Sequence, residues 1–411
     1  IDASFAPDRT RQNEEQAVVG RVIKTKSSPE LTPFLTRCMS EFAERMFPAA
    51  GILIPMDYDA VYDRQSRPSQ RTLLQQAIGL LPNRVVKSFL KAESYDNPKD
   101  PRIISTINTV DKVEYSKFTY ALSEYMKEMR WYAFGKKPVE IALRVVEVAL
   151  DAETLVESDF ERFDGSINPV LRLFERMILV RAFHPMYAPT ISAAHGSQIN
   201  LPAKTTQGVS YDTGFSRLSG SPETAVMNTL CNIFAAYVAF RKTKVNGKFM
   251  NADDAWSAVN NCVVGGDDGL LRNVRTDQYV AACTELGLKV KADAKTPGQP
   301  VKFLARIYNP NVWAGDANSV CDMARQLSKL HTCVVLPEGI PHAHKLVEKC
   351  RGLDMSDRYT PIIGAFASRV VDLSWRVVTK IELRLVVNYS SLDQTTGELH
   401  LRCDQYPNYG G

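Results

Sequence analysis

Two adjacent carboxylates enclosed by glycines lie between two short apolar runs, and this feature constrains the local fold more than any other. Residues 258–264 and 270–274 each predict a strand, and residues 265–269 predict the tight turn that joins them. Because neighbouring carboxylates repel each other, Asp267 and Asp268 at the tip of such a hairpin are costly unless a cation binds there. Mg²⁺ prefers oxygen ligands, so the turn is a candidate metal site.

A second acidic pair, Asp253-Asp254, has an ordinary structural explanation. It follows Asn251 and precedes Ala255-Trp256, which is typical of a capped helix N-terminus where negative charge is favourable. Solvated acidic turns are also common. Taken alone, therefore, Asp267-Asp268 leaves both a metal site and a solvated turn open.

A third carboxylate comes after another short apolar run. Residues 154–159 predict a strand that ends in Asp159, and Phe163-Asp164-Gly165 predicts a turn. Asn168-Pro169 then suits the start of a helix over 170–183. If this strand lies beside the hairpin, three carboxylates meet. Such a set suffices for two ions ~4 Å apart, which stabilise the attacking and leaving oxygens of phosphoryl transfer.

The rest of the chain mixes helices and strands, with no internal repeat. Apolar periodicity predicts helices over 110–134, 139–150, 221–240 and 277–286, and strands over 289–295 and 301–308. Ser221 and Pro222 suit the start of the third of these helices, with Ser221 as its cap. The last hundred residues are predicted to be mostly helical.

Composition limits the class of protein. At 411 residues the chain is too long for one ordinary compact core, so two domains or one multi-lobed body is expected. A net charge of +4 argues against binding nucleic acid by charge alone, so any basic channel must be local. Eight cysteines occur without a Cys-x-x-Cys pair, which favours free thiols in a reduced cytosolic setting. The spacing of Cys333, His342, His344 and Cys350 fits no standard zinc pattern, and we leave zinc out.

Three spaced motifs occur in a fixed order: Asp159-x4-Asp164, Ser219-Gly220-x3-Thr224-x3-Asn228 and Gly266-Asp267-Asp268. Together they resemble the RNA-dependent RNA polymerases of positive-strand RNA viruses, and their wording is most similar to nodavirus-like polymerases. Upstream, Lys91-Ala92-Glu93 with Lys99 and Arg102 resembles the basic fingers motif. Downstream, Phe303-Leu304-Ala305-Arg306 resembles the hairpin that grips the primer. The implied fold is an α+β right hand of fingers, palm and thumb with an antiparallel palm sheet.

The resemblance also implies a role for each motif residue. The implied sets are metal ligands Asp159 and Asp267 with Asp268 in support, ribose contacts Asp164, Thr224 and Asn228, a flexible loop Ser219 and Gly220 at the template and incoming nucleotide, and triphosphate contacts Arg102 with Lys91 or Lys99. Two Mg²⁺ or Mn²⁺ ions are the implied cofactors. A lysine is expected as general acid to the pyrophosphate leaving group, with Lys295 favoured and Lys291 as the rival. Each residue taken singly also has a structural explanation, and their joint order favours function.

The family implies a division of the chain into five parts. These are N-terminal fingers with the basic motif over 1–110, fingers and palm with the first catalytic aspartate over 111–170, a fingers insertion over 171–218, the palm over 219–310 and the thumb over 311–411. Expected partners are an RNA template and product strand, ribonucleoside triphosphates and other replicase components. Because the sequence begins at Ile1 rather than Met, we expect a segment of a larger replicase that attaches to membranes elsewhere. The expected location is the host cytoplasm, at membrane-bound replication complexes.

Two other functions remain open at this point. A reverse transcriptase would share the palm and the paired aspartates, but its ribose position normally carries a bulky aromatic residue, whereas this chain has Asp164. A non-catalytic RNA-binding or capsid protein would need basic or aromatic platforms and would have no reason for three placed carboxylates. The sequence favours ribonucleotide polymerisation over both.

Overall fold

The computed structural model describes residues 5–377, apart from 96, 331, 335 and 337. In this part of the chain the α-helices are α1 (Arg11–Val18), α2 (Pro33–Met46), α3 (Tyr58–Asp63), α4 (Pro68–Gln76), α5 (Thr109–Met126), α6 (Pro138–Ala149), α7 (Phe163–Ser166), α8 (Pro169–Ala182), α9 (Ala188–Gly196), α10 (Thr224–Lys242), α11 (Ala252–Val259), α12 (Thr276–Glu285), α13 (Met323–Leu330), α14 (His342–Asp357) and α15 (Ile363–Val377). The strands are β1 (Val86–Leu90), β2 (Ile103–Thr106), β3 (Leu155–Phe160), β4 (Pro202–Thr205), β5 (Ser210–Asp212), β6 (Lys244–Val245), β7 (Lys248–Phe249), β8 (Val263–Gly265), β9 (Asp268–Arg272), β10 (Val290–Lys295), β11 (Val301–Phe303), β12 (Arg306–Tyr308) and β13 (Ser319–Cys321). A π-helical segment, Val19–Ile23, continues α1.

A four-stranded sheet in the order β10-β3-β9-β8 forms the centre of the molecule, and all its neighbouring strands are antiparallel. The β8–β9 hairpin is the predicted one, and β3 lies directly beside it. The strand expected to carry the third carboxylate is therefore a neighbour of the acidic turn. We call these four strands the central sheet.

The two faces of the central sheet have different surroundings. Val156 and Phe160 of β3 belong to the main apolar core, which α2, α5, α8, α10 and α12 also form. Leu155 of the same strand belongs to a second core with α6 and the β11–β12 hairpin. Because side chains alternate along a strand, Asp159 shares the face of Leu155, and it is exposed there. The central sheet thus presents this carboxylate on its accessible face.

Helix α10 passes through the main core with all residues from Val226 to Phe240 buried. A helix that is apolar all round belongs in a protein interior. Its few polar side chains therefore need specific partners, and the active-site turn supplies several of them, as described below.

Two smaller sheets flank the central one. The first has the order β2-β1-β4-β5 and joins residues 86–106 to residues 202–212, with β1 parallel to β4. The second, β11-β12-β13, is antiparallel and precedes helices α13 to α15. Strands β6 and β7 form a separate short hairpin. In the described ranges, no helix combines the length and apolarity needed to cross a bilayer.

Two predicted elements have different bounds in the structure. The strand predicted over 258–264 was wrong in its first half, because α11 extends to Val259 and only Val263–Gly265 is strand. The Asn251 cap and the buried Ala255 and Val259, four residues apart, favour helix there. The helix predicted over 110–134 ends at Met126, since residues 131–133 instead bond to Val264 beside β8.

Local capping and a turn account for the other differences. Ser221 does not cap α10; the helix begins at Thr224, and the Ser221 hydroxyl donates to Gln198 Oε1 at 2.9 Å. The strand predicted over 301–308 is two strands, because Leu304 and Ala305 adopt positive φ values of 46° and 60° and turn the chain. The described part of the last hundred residues is mostly helical, as predicted, and residues 378–411 lie outside the described residues.

Candidate active site

Three aspartates converge at one end of the central sheet. Ser158 pairs with Gly269 across β3 and β9, and Gly265 pairs with Asp268 across the hairpin. Asp159, the residue after Ser158, is therefore brought next to Asp268, while Asp267 lies in the turn itself. The register thus unites two carboxylates adjacent in sequence with one that precedes them by more than a hundred residues.

Glycines and polar groups of α10 hold the acidic turn in place. Gly266 has a φ of +67°, which the favoured two-residue hairpin turns require at their first position. Its N–H donates to Thr229 Oγ1 at 2.8 Å, and Asn232 Nδ2 donates to the carbonyl oxygens of Gly266 and Asp268 at 3.1 and 3.2 Å. A Cβ at Gly269 would lie 2.4 Å from Ser158 Oγ, so β3 and β9 approach too closely for any side chain there.

The carboxylates influence one another electrostatically. Burial raises the pKa of Asp268 to about 6, and the negative charges of Asp267 and Asp159 add to the shift, while Arg325 opposes it. No side chain in the described part of the chain donates a hydrogen bond to the Asp267 or Asp268 carboxylate. The site therefore consists of carboxylate oxygens whose negative charge no described side-chain hydrogen-bond donor offsets. Such oxygen ligands fit a hard divalent cation such as Mg²⁺.

Another acidic group has ligand geometry but does not fit a metal. Within the described ranges, Glu175, His195 and Glu223 are the one set of three potential ligands whose atoms all lie within 4.8 Å of one another. Arg172 and Arg217 each form ion pairs with both Glu175 and Glu223, so the charge of these carboxylates is already balanced. The carboxylate oxygens of Asp159, Asp267 and Asp268 do not all lie within 4.8 Å of one another, so they are more widely spaced than this group.

A cavity of about 1030 Å³ opens beside the acidic turn. Its wall includes Asp267, Asp164 and Asn228. Asn228 Nδ2 donates to Asp164 Oδ1 at 2.7 Å. Burial raises the pKa of Asp164, Asn228 and Arg217 oppose the rise, and Asp267 adds to it. The predicted ribose contacts Asp164 and Asn228 are therefore hydrogen-bonded to each other on the wall that also carries Asp267.

The other predicted nucleotide contacts on this wall are bonded to backbone. Thr224 lines the cavity, and its hydroxyl lies 3.0 Å from the carbonyl oxygens of both Leu218 and Ser221, to which it is placed to donate. Ser219 Oγ accepts from the N–H of Ser105 at 3.1 Å. Gly220 N–H donates to Ser105 O at 2.9 Å, and a Cβ at Gly220 would also lie 2.9 Å from that oxygen. Gly220 is therefore required for the loop to approach β2.

Basic side chains also line this cavity. Arg102 and Lys99 contribute to the wall, as predicted for triphosphate contacts, and Lys99 Nζ lies 5.1 Å from the centre of the Tyr95 ring. Lys91 does not line it; its ammonium pairs with Glu93 at 2.9 Å. Arg21, from an N-terminal segment in which the sequence indicated no site residue, also lines the cavity, and burial together with nearby Arg162 lowers its pKa.

The two candidate lysines occupy different places on β10. Lys291 pairs in register with Asp159 and lines a second cavity, of about 450 Å³, together with Asp159 and Asp268. Lys295 pairs with Leu155, roughly 13 Å further along at the usual rise per residue. Its ammonium donates to Asp293 Oδ2 at 2.6 Å, which raises the pKa of Lys295. The register brings Lys291 to the aspartates and therefore favours this rival over Lys295.

The hairpin expected to grip the primer is present, and its turn residues and Arg306 make different contacts. Its turn residues Leu304 and Ala305 line the second cavity. Arg306 lines the same cavity but is mostly buried, and its guanidinium donates to both Asp357 carboxylate oxygens at 2.9 and 2.8 Å. The arginine therefore attaches the hairpin to α14.

Comparison with known proteins accords with this geometry. Residues 106–328 match the family described as viral RNA-dependent RNA polymerase. Over 87% of its length, the chain is 32% identical to the RNA-directed RNA polymerase of striped jack nervous necrosis virus. The chain belongs to the viral RNA-dependent RNA polymerase family. It is also 31% identical to the RNA-directed RNA polymerase of Pariacoto virus over 90% of its length.

The fold of this member of the family is shared with a solved structure. The RNA-dependent RNA polymerase of a human picobirnavirus superposes with a TM-score of 0.71 at 14% identity, covering 92% of this chain and 78% of that one. The predicted right-hand fold is thereby confirmed, and the central sheet is its palm. The chain spans about a third of the length of the curated relatives it matches, 36% and 38% for the two named above.

Several residues of the polymerase site were not identified from the sequence. Thr229 and Asn232, which hold the turn, are polar positions in an otherwise apolar helix, and that contrast was a usable signal. Arg217 stands two residues before Ser219, in a loop rich in small polar residues. Arg21 had no local signal, since its part in the cavity depends on how the N-terminal segment folds back.

Proposed function

We propose that this chain is the polymerase part of a nodavirus-like replicase and joins ribonucleotides on an RNA template for viral genome replication and transcription. One observation carries the proposal: Asp159 on β3 meets Asp267 and Asp268 of the hairpin beside a cavity whose wall contains the bonded pair Asp164 and Asn228. Family membership supports it. The reaction would be attack of a 3′-hydroxyl on the α-phosphate of a ribonucleoside triphosphate, with pyrophosphate leaving.

Asp159 and Asp267 would hold two Mg²⁺ or Mn²⁺ ions with Asp268 in support, and such ions supply charge neutralisation and activation of the attacking hydroxyl. Arg102 and Lys99, on the wall of the same cavity as Asp267, would bind the triphosphate through charge-assisted hydrogen bonds. The presence of basic and acidic side chains on the wall of one cavity supports this division.

Sugar choice and leaving-group protonation would rest on two further residues. The Asp164 carboxylate uses one oxygen to accept from Asn228 and has a second with which to accept from a ribose 2′-hydroxyl. Lys291, opposite Asp159, would protonate the pyrophosphate as it leaves. Both groups lie on cavity walls that also carry the metal-binding aspartates.

The whole replicase would act with other components at membrane-bound complexes in the host cytoplasm. The support is the resemblance to replicases of which the matched part is about a third of the length. Imaging of the full-length protein in infected cells, with viral RNA and a membrane marker, tests the proposal. A full-length protein found diffusely in the cytoplasm, away from both markers, would contradict it.

Incorporation of a labelled ribonucleotide opposite a defined RNA template tests the catalytic proposal. We expect full-length extension with Mg²⁺ or Mn²⁺, none with EDTA, and strong preference for ribonucleotides over deoxynucleotides. A protein that uses deoxynucleotides equally well would favour reverse transcription. A folded protein that binds RNA but incorporates nothing would favour a non-catalytic role.

A further inference from the structure

A buried charge cluster lies behind the wall that carries Asp164 and Asn228. It consists of Arg172 and Glu175 on α8, Arg217 in the loop before α10, and Glu223 at the start of that helix. The exposed fractions of these side chains are 0 to 3%. The two arginines and two glutamates balance in charge, as buried ionised groups must.

The cluster stays ionised because each glutamate meets both arginines. Arg172 Nη1 donates to Glu175 Oε2 at 3.0 Å and to Glu223 Oε1 at 2.7 Å. Although burial acts to raise it, Arg217 and Arg172 hold the pKa of Glu175 well below its usual range. His195 Nε2 also lies 3.1 Å from Glu175 Oε2. The guanidinium groups are thus surrounded by fixed negative charge.

Arg217 is held on three sides. Its Nη2 donates to Glu175 Oε1, and its Nη1 contacts Glu223 Oε1 at 2.7 Å. Its backbone N–H donates to the carbonyl oxygen of Asp164 at 2.8 Å. Because a guanidinium is planar and rigid, fixing these donors also fixes the direction of Nε–H.

The Nε–H group of Arg217 sets the orientation of the Asn228 side chain. Arg217 Nε donates to Asn228 Oδ1 at 2.9 Å. A guanidinium has no acceptor, so the amide oxygen must face the arginine and the amide NH₂ must face Asp164. The observed bond from Asn228 Nδ2 to Asp164 Oδ1, 2.7 Å, is the consequence. An ionised Asp164 carboxylate only accepts, so both neighbours of Asn228 require the same orientation of its amide.

We propose that Arg217 is a positioning residue for sugar selection, acting through Asn228 to keep the Asp164 carboxylate ready to accept from the ribose 2′-hydroxyl. The inference rests on the proposed function, because it assigns the orientation of the same ribose site. Stability alone is a weak reason for four buried charges, since replacing buried ion pairs with apolar residues is often neutral or stabilising. Fixing the Asn228 amide beside the proposed ribose site gives the cluster a specific function.

Arg217→Lys tests the assignment, because lysine retains the charge but cannot hold two carboxylates and an amide in one rigid plane. The readout is the ratio of kcat/KM for a ribonucleotide to that for its deoxynucleotide. We expect Asn228→Ala to lower this ratio by roughly 10- to 100-fold, since a site built to hydrogen-bond a hydroxyl discriminates through it. Arg217→Lys should lower it about 10-fold, and the double variant should be no lower than Asn228→Ala alone, because the two residues act as one unit.

Arg172→Lys is the matched control: it is equally buried and contacts the same two carboxylates, but it does not contact Asn228. It should lower thermal stability as much as Arg217→Lys does and leave the sugar ratio unchanged. An unchanged ratio in Arg217→Lys would overturn the inference. So would losses that multiply in the double variant, or an equal loss of ratio in Arg172→Lys.

If Arg217→Lys does not fold, Asn228→Asp takes its place. This isosteric change keeps an acceptor for Arg217 and replaces the NH₂ that faces Asp164 with an oxygen. The inference expects the sugar ratio to fall, whereas an unchanged ratio would contradict it. The proposed function fails separately, if wild type incorporates no ribonucleotide with Mg²⁺; incorporation with a ratio sensitive to Asp164→Ala but not to Arg217→Lys rejects only the role of Arg217.

Discussion

The chain contains two Asp-Asp pairs whose surroundings are opposite. Asp253 and Asp254 open helix α11, where both backbone N–H groups donate to Asn251 Oδ1 at 2.9 Å. Asp253 Oδ1 also accepts from Arg45 Nη2 at 2.8 Å. Helix capping and an arginine thus balance this acidic pair within the protein.

Asp267 and Asp268 have no such compensation. Their turn is held through its backbone, by Thr229 and Asn232, and the carboxylates themselves face a cavity. A third aspartate lies next to them across the sheet, and the pKa of Asp268 rises to about 6 through burial and the nearby Asp267 and Asp159. The same dipeptide is therefore a helix start in one place and a candidate cation site in the other, and the difference lies in what surrounds it.

The largest expected effect comes from removing one acid from each pair. Asp267→Ala should reduce nucleotide incorporation by more than roughly 10³-fold, because transition-state charge stabilisation is lost. Asp253→Ala should keep most of the activity, since it removes only a helix-start carboxylate. Incorporation by both variants, each shown to be folded by circular dichroism, gives the measurement. Equal losses would reject the assignment of the active turn.

The next effect concerns Lys291, the positively charged side chain that lies near the three aspartates. Lys291→Leu should slow incorporation by roughly 10²–10⁴-fold, the range for losing a general acid, with a smaller change in nucleotide affinity. Lys295→Leu, on the same strand and the same face, is the control and should have little effect. Single-turnover rates decide between them, and a large loss confined to Lys295→Leu would restore the original choice.

The two lysines also show where sequence reasoning reaches its limit. Alternation along β10 places Lys291 and Lys295 on one face, so the pattern identifies the face but cannot choose between them. The choice depends on the register with β3, which is set by contacts remote in sequence. Similarly, the buried charge cluster combines residues of α8 with residues near the start of α10. No local sequence pattern predicts that Arg172, Arg217 and Glu223 meet there.

Local chemistry predicted other parts well. Asn168 caps α8 through bonds from the N–H groups of Val170 and Leu171, as its position before Pro169 indicated. Glycine and adjacent acids predicted the hairpin, because few other residues allow its first turn position. Where prediction erred, at the start of β8, an apolar run fitted helix and strand equally and the Asn251 cap decided the outcome.

Asp164 is intermediate between the two acidic pairs, because its partly buried carboxylate accepts one hydrogen bond, from the Asn228 amide. Asp164→Ala should lower the ribo-to-deoxy ratio of kcat/KM by about 10-fold, because the group that pairs with the 2′-hydroxyl is removed. Asp212→Ala is the control, since that carboxylate is exposed at the end of β5 and, among the described residues, accepts only from the Gly214 N–H. Matched ribo and deoxy substrates give the ratio. If both sugars suffer alike, Asp164 only closes its turn, and reverse transcription is open again.

The smallest effect is on stability, and it should have opposite signs at the two acidic pairs. In EDTA, Asp268→Asn should raise the free energy of unfolding by about 1 kcal/mol, because it removes a repulsion between like charges. That value is the interaction of two unit charges ~4 Å apart at the dielectric constant of water. Asp253→Asn should lower it by about 0.3–1 kcal/mol, because a charge favourable to a helix N-terminus is lost. Adding Mg²⁺ should stabilise wild type and the Asp253 variant, since a ligand that binds only the folded state raises its stability, but should stabilise the Asp268 variant less. Denaturant unfolding with and without Mg²⁺ measures all three proteins. Destabilisation by Asp268→Asn in EDTA would mean that the hairpin acids are already balanced within the protein, and the contrast between the two pairs would be lost.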